Sequence, residues 1–195
     1  MSKELNADFW NHRWTTGQTG WDIGYASPAL TQYMEQYKNK NAAILIPGCG
    51  NAHEAAFLVA NGFTNITLLD ISSTAVLILE EKFKDYPQIK IICEDFFQHR
   101  GAYDLIIEQT FFCAQILEKR EAYVQKAASL LKPQGKLMGV LFATEFESEG
   151  PPFGGSREVY TYLFDPLFLI KIMEPCYNSI PPRMGNELFI LLQKK

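Results

Sequence analysis

The sequence predicts an α/β fold in which a mostly parallel sheet is covered by helices on both faces. Three observations point there. Short aliphatic runs alternate with longer amphipathic ones from residue 42 onward, the first run is apolar without a break, and polar residues collect at the carboxyl ends of the runs. An unbroken apolar run is what a strand buried on both faces requires. The 195 residues suffice for one domain, and a hydrophobic share of 47% can fill its core.

The elements follow in order along the chain. Ala43-Ile44-Leu45-Ile46 is the first strand and runs into Pro47-Gly48-Cys49-Gly50. Asn51 is placed to cap a helix through Glu54-Ala55-Ala56-Phe57-Leu58, which Asn61-Gly62 stops. Ile66 to Leu69 is the second strand, closing at Asp70; Ser72 or Ser73 caps a helix to about Asp85, and Pro87 ends that excursion. Ile89 to Cys93 is the third strand, ending at Glu94-Asp95, and Tyr103 to Ile107 is the fourth, ending at Glu108-Gln109. A helix from about Lys119 to Leu131 stops near Pro133 and Gly135, and Lys136 to Phe142 is the fifth strand. A helix over Ser156 to Leu163 then precedes an antiparallel pair, Leu167 to Met173 and Glu187 to Gln193. Ahead of this region, Trp10 and Trp14 stand four apart and share one helical face.

Charge and composition exclude several function classes. A net charge of −4 with no lysine or arginine block argues against nucleic acid as the main partner. No run approaches the roughly 18 consecutive apolar residues of a membrane span, and the first residues do not resemble a signal peptide, so a cytoplasmic protein is expected. The four cysteines lie far apart without a C-x-x-C pair, and the three histidines are scattered; no metal site or disulfide framework is expected.

In an open sheet of this kind, ligands bind outside the carboxyl ends of the strands, where Gly48, Gly50, Asp70, Asp95 and Gln109 all fall. The glycines permit a tight turn and close backbone approach, and the helix behind them offers free N–H groups to an anion. Asp70 follows Gly50 by 20 residues, the offset at which an acid accepts hydrogen bonds from ribose hydroxyls. Asp95 is placed to accept from an adenine amino group, or else simply caps the segment that follows. His53 stands where a dinucleotide fingerprint has its third glycine. The loop is therefore better suited to a ligand without a pyrophosphate, such as S-adenosylmethionine, and argues against a nicotinamide oxidoreductase.

The stretch Phe9-Trp10-x-x-x-Trp14-x-x-Gly17-x-Thr19-Gly20-Trp21-Asp22-x-Gly24, followed by Ser27-Pro28-Ala29-Leu30, resembles the thiopurine S-methyltransferase family, which includes plant thiol and halide methyltransferases. So do Leu45-Ile46-Pro47-Gly48-Cys49-Gly50, Leu69-Asp70-Ile71-Ser72, Glu94-Asp95-Phe96-Phe97, Glu108-Gln109-Thr110-Phe111-Phe112-Cys113-Ala114, Gly150-Pro151-Pro152-Phe153 and Ile180-Pro181-Pro182-Arg183-Met184-Gly185. The match spans nearly the whole chain in order. It implies a Rossmann-like class I methyltransferase: a single domain over 1–195 with seven strands, an antiparallel C-terminal strand and an N-terminal helical lid or arm over 1–40.

The resemblance also implies S-adenosyl-L-methionine as cofactor. Trp10, Trp14 and Trp21 would border its site, with Trp21 the best candidate for contact and Trp10 for packing alone. Gly48 and Gly50 would meet the methionine end, Asp70 the ribose with Ile71 beside it, Asp95 and Phe96 the adenine, and Gln109 would lie near the cofactor on the fourth strand. Direct in-line displacement needs no covalent enzyme intermediate, so no catalytic residue is assigned. The acceptor pocket is expected under the Gly150 to Gly155 loop. Its candidate walls are Tyr25, Phe111, Phe112 and Phe153, although such aromatics are often core residues. Arg183 is either an attractor for an anionic acceptor or a solvated loop charge, and Cys113 reads as a buried small residue. The expected function is methyl transfer to a small soft nucleophile: a thiol, a thiopurine-like compound or a halide. The alternatives are a small oxygen or nitrogen acceptor, or a cofactor-binding protein without catalysis. A monomer or weak homodimer is expected.

Overall fold

A computed structural model describes residues 5–147 and 150–195; residues 1–4 of the expected N-terminal arm lie outside the described residues. The strands are β1 (Ile44–Pro47), β2 (Ile66–Asp70), β3 (Ile89–Cys93), β4 (Tyr103–Gln109), β5 (Leu131–Phe142), β6 (Phe168–Pro175) and β7 (Glu187–Lys194). The helices are α1 (Ala7–Thr15), α2 (Pro28–Glu35), α3 (His53–Ala60), α4 (Ser73–Lys82), α5 (Arg120–Leu130) and α6 (Arg157–Phe164). The sheet order is β3-β2-β1-β4-β5-β7-β6, with β7 antiparallel to both neighbours and every other pairing parallel. The strand order reverses between β1 and β4, so the ends of β1, β2 and β4 converge where a ligand site belongs.

Strand side chains alternate between the two faces, and each face feeds its own core. Ile44 and Ile46 of β1, with Leu105 and Ile107 of β4, pack under α2, α3 and α4 through Leu30, Met34, Leu58 and Leu79. Leu45 and Ile106 point the other way, into a cluster with Tyr123 and Val124 of α5 and Tyr160 and Phe164 of α6. Each such side chain, taken out of water, contributes about 1.5–3 kcal/mol. The continuous apolar runs in the sequence are explained by this two-sided burial.

The boundaries differ from the sequence expectation where tertiary contacts intervene. Asn51 does not cap α3: Ala52 occupies the N-cap at φ 48°, and the Asn51 amide donates to Asp22 instead. Helix α4 is capped by Ser72, whose Oγ accepts from Ala75 N at 3.2 Å, and it stops at Lys82 because Phe83 turns into the core. Helix α5 ends at Leu130 and β5 starts at once, but the pairing jumps from Tyr103–Leu131 to Leu105–Lys136. Pro133 and Gly135 thus sit in a bulge, and regular pairing begins at Lys136. Helix α2, which sequence patterning left within the arm, starts with Ser27 at the N-cap and Pro28 in the first turn.

Candidate active site

The site begins with the turn after β1. Gly48 and Gly50 both adopt left-handed backbone, with φ of 55° and 52°. A Cβ on Gly48 would lie 2.2 Å from the Phe111 ring, whereas one on Gly50 would point at the Trp14 and Trp21 rings at 3.7 and 3.8 Å. At the end of β2, Asp70 is 8% exposed, and its two oxygens accept from Gly50 N at 3.1 Å and Ser72 N at 2.9 Å. Burial pushes its carboxyl up from the ordinary value, and the amides of Ser72, Gly50 and Ile71 pull the other way. Asp70 therefore ties the glycine turn to the start of α4.

The N-terminal segment closes over this turn and is held at three places. Asn11 Oδ1 accepts from Ser72 Oγ at 2.8 Å and Thr74 N at 3.2 Å, which docks α1 on the N-terminus of α4. Asp22 accepts from Gly24 N at 3.0 Å and Asn51 Nδ2 at 2.5 Å, and its Oδ1 lies 2.8 Å from His53 Nε2. Arg183 Nη2 donates to Trp21 O at 3.0 Å. Trp21 sits at the centre of an aromatic trio, edge-to-face with Trp10 at 5.6 Å and with Trp14 at 6.1 Å. His53, which sequence reading used only to exclude a dinucleotide, is part of this fastening.

Between the N-terminal segment and the sheet lies a cavity of about 500 Å³. Trp10, Trp14, Trp21, Gly48, Gly50, Asp70 and Ile71 line it, together with Phe111 and Arg183. A recess of about 40 Å³ opens beside the glycine turn and is lined by Trp21, Tyr25, Gly48, Gly50 and Gln109. Gln109 Oε1 is buried there with no hydrogen-bond partner. Thr110, which follows β4 and lines both spaces, is held at φ 58°, a strained conformation for a β-branched residue.

Four expected site residues stand elsewhere. Asp95 and Phe96 line neither space: Asp95 Oδ1 accepts from Phe97 N at 2.9 Å, and the Phe96 ring is stacked on Tyr123 at 5.2 Å in the core. Ile71, Ala114 and Gln115 line the larger cavity. Phe112 is 1% exposed and packs against Tyr123, Tyr160 and Phe164, so it belongs to the core. Phe153 lies behind the wall, its carbonyl accepting from Arg120 Nη2 at 2.9 Å and its N–H donating to Cys113 O at 2.7 Å. The neighbouring Pro151 and Pro152 do line the cavity. Tyr25, half-exposed, reaches only the small recess.

Sequence reasoning missed Arg13 and Gln18, which line the cavity, and Glu108, which shapes it from behind. Glu108 is 1% exposed; Oε1 accepts from Phe111 N and Phe112 N, both at 2.8 Å, and Oε2 from the Tyr123 hydroxyl at 2.5 Å. It thereby fixes the turn that presents Phe111 to Gly48. Burial raises its pKa to about 7, against the three hydrogen bonds that favour the carboxylate. Only its position before a strand-end glutamine could have flagged it. Among the described residues no cluster of histidine, cysteine or acidic side chains is arranged to hold a metal, and no helix is long and apolar enough to cross a membrane.

The thiopurine S-methyltransferase family profile matches residues 5–187. The chain is 34% identical over 194 residues to "Probable thiol methyltransferase 2" of Arabidopsis thaliana, covering 96% of this chain and 85% of the relative. It is 31% identical to thiocyanate methyltransferase 1 of Brassica oleracea, with 91% and 81% covered, and 26% identical to a thiopurine S-methyltransferase of Photobacterium profundum, with 94% of each covered. Among solved structures, a Burkholderia thailandensis 1,6-didemethyltoxoflavin-N1-methyltransferase with bound S-adenosylhomocysteine superposes with a TM-score of 0.80 at 12% identity, covering 97% of this chain and 87% of that one. The magnesium protoporphyrin IX methyltransferase of Synechocystis, also with the product cofactor bound, gives 0.76 at 15% identity and 97% coverage of both. The latter two share the fold. Taken with the residues-5–187 match, these relatives place the chain in the thiopurine S-methyltransferase family of S-adenosylmethionine-dependent methyltransferases.

Proposed function

We propose that the protein transfers a methyl group to a small soft nucleophile, a thiol, a thiopurine-like compound or a halide. The observation that carries this reading is the chemistry of the cavity wall. Among the described residues lining it there is no histidine and no tyrosine, and its one carboxylate, Asp70, is engaged by two backbone amides. The Cys113 thiol in the wall is pushed above its ordinary pKa, by burial first and then by Glu108, so it is a poor proton carrier at neutral pH. Such a wall suits an acceptor that supplies its own anion near neutral pH, as halides do outright and thiols do through their thiolate fraction.

Residues present in the site fit the cofactor. Two glycines with open backbone, a strand-end aspartate and an orphaned buried acceptor on Gln109 stand together at the switch point. On this reading Asp70 holds the ribose hydroxyls, Gly48 and Gly50 let the amino-acid end approach the backbone, and Gln109 Oε1 accepts from its ammonium. When bound, S-adenosylmethionine supplies a methyl group activated by a sulfonium. The Trp10, Trp14 and Trp21 rings cover the cavity and exclude water, and an indole face beside a cation contributes about 0.5–2 kcal/mol. Phe111, Pro151 and Pro152 confine the acceptor to one approach, which is the orientation that displacement needs. The four thiols, none in a disulfide, suit the reducing cytoplasm in which we place the protein.

An acceptor panel tests the reading. Small thiols, iodide, thiocyanate, phenols and amines are offered at equal concentration with the cofactor, and methylated products are quantified. Turnover of thiols or the inorganic anions, without phenols or amines, is expected. Turnover confined to phenols or amines, or cofactor binding without any transfer, would overturn it.

A further inference from the structure

Arg13 is a cation in the cavity wall with donors to spare. It lies near the end of α1, with its guanidinium carbon 5.9 Å from the Trp21 ring and 5.4 Å from the Phe9 ring. Nη1 donates to Gln18 Oε1 at 3.1 Å. The other edge, Nε and Nη2, has no hydrogen-bond partner among the described residues, and Nε is buried. No carboxylate among the described residues pairs with Arg13, whereas Arg183 approaches Glu187 Oε1 at 3.5 Å. Asp70, the only carboxylate among the described residues of the wall, is engaged by Gly50 and Ser72.

A partly buried guanidinium with a vacant two-donor edge is complementary to a planar anion, because Nε–H and Nη2–H match the two oxygens of a carboxylate. A thiolate or halide offers no such second oxygen. The cofactor's own carboxylate is the competing claimant, because Gly48, Gly50 and Asp70 line the larger cavity as well as Arg13 does. The recess beside Gly48, Gly50 and Gln109, which takes the cofactor's amino-acid end on the reading above, is lined by neither Arg13 nor Arg183. Both arginines line the larger cavity, alongside Phe142, Phe146 and Pro182.

We propose that Arg13 is an anion subsite for the acceptor, so that the preferred acceptors are small thiols carrying a carboxylate. The proposal rests on the methyl-transfer reading, and it adds a selectivity to that reading. Arg183, anchored on the Trp21 carbonyl and drawn toward Glu187, adds positive potential to the same cavity without offering a vacant edge of its own. Arg13 touches no reacting atom; it fixes which end of the acceptor faces the methyl group.

The test compares 4-mercaptobenzoate with thiophenol as acceptors for wild type, Arg13→Gln and Arg13→Lys. A parallel calorimetric titration uses 4-(methylthio)benzoate and, separately, S-adenosylhomocysteine. Wild type should favour the carboxylated thiol in kcat/KM. In Arg13→Gln that ratio should fall about tenfold or more through KM, 4-(methylthio)benzoate should bind about tenfold more weakly, and S-adenosylhomocysteine should keep its affinity. Arg13→Lys, which keeps the charge but loses the fork, should recover only part of the ratio. A loss of S-adenosylhomocysteine affinity in Arg13→Gln, with the acceptor ratio intact, would assign Arg13 to the cofactor and overturn the proposal. Should wild type methylate neither thiol, the methyl-acceptor reading fails, and the benzoate titration still decides the anion subsite: equal binding by wild type and Arg13→Gln would refute it.

Discussion

Gly48 illustrates how tightly single residues constrain this site. Its φ of 55° is costly for a residue with a side chain, and a Cβ would overlap the Phe111 ring at 2.2 Å. The left-handed backbone costs about 1–2 kcal/mol. Displacing a packed ring costs about 1–3 kcal/mol more. Gly48→Ala should therefore lower the melting temperature measurably and weaken cofactor binding, while Gly50→Ala, whose Cβ would meet nothing closer than 3.7 Å, should cost less stability; differential scanning calorimetry of the pair checks the order. Gly48 and Asp70 were legible in the sequence because each ends an apolar run, and sheet topology alone brings such ends together. Arg13 was not: an arginine on a short helix reads as a solvated charge, and only the fold of the segment after it buries its Nε. Asp95 ends a run as Asp70 does and likewise accepts from the amide two residues on, but of the two Asp70 alone also accepts from the glycine turn, at Gly50 N, a distinction no spacing reveals.

At the level of elements, the N-terminal segment is a strap fastened to the glycine turn. Burial works to raise the Asp22 carboxyl, but hydrogen bonds from Gly24, His53 and Asn51 outweigh it and hold the pKa below its ordinary value of 3.8. A carboxylate depressed on folding contributes stability that is fully present above its unfolded pKa and lost as pH falls through the folded one. The strap should thus stay closed at neutral pH and loosen in acid below that ordinary value. Tryptophan fluorescence reports it directly, since Trp21 adjoins Asp22: Asp22→Asn should shift the emission at pH 7 toward that of the acid-loosened wild type. An unchanged spectrum in the variant would count against the strap. The tryptophan helix was visible from the four-residue spacing of Trp10 and Trp14. The fastening was not, because Asp22 and His53 are 31 residues apart and meet only after β1 and its turn are in place. Asn51 shows the same competition from the other side, giving up the cap of α3 to bind Asp22.

For the whole molecule, a mostly parallel sheet with an antiparallel C-terminal strand was within reach of the sequence because two-sided burial leaves continuous apolar runs and two separate β-rich stretches end the chain, whereas the order β3-β2-β1-β4-β5-β7-β6 is visible only in the structure. What patterning could not reveal is the buried charge at the centre. Glu108 has a folded pKa of about 7 against an ordinary value of 4.5, so the folded state binds the extra proton between these limits. Unfolding free energy should then fall as pH rises from 4.5 to about 7, by roughly 3 kcal/mol for a shift of that size. Glu108→Gln keeps an oxygen for the Phe111 and Phe112 amides and an NH₂ for the Tyr123 oxygen, so urea denaturation across this range should show a flatter pH dependence than wild type. The same slope in both proteins would place the proton elsewhere.

The central claim is that the glycine turn, Asp70 and the tryptophan cover form one cofactor site. Isothermal titration of S-adenosylmethionine into wild type, Asp70→Ala and Trp21→Ala tests it most directly. Wild type should bind one equivalent, Asp70→Ala should lose binding, and Trp21→Ala should retain it with weakened affinity. Full affinity in both variants, each with a native circular dichroism spectrum, would contradict the account.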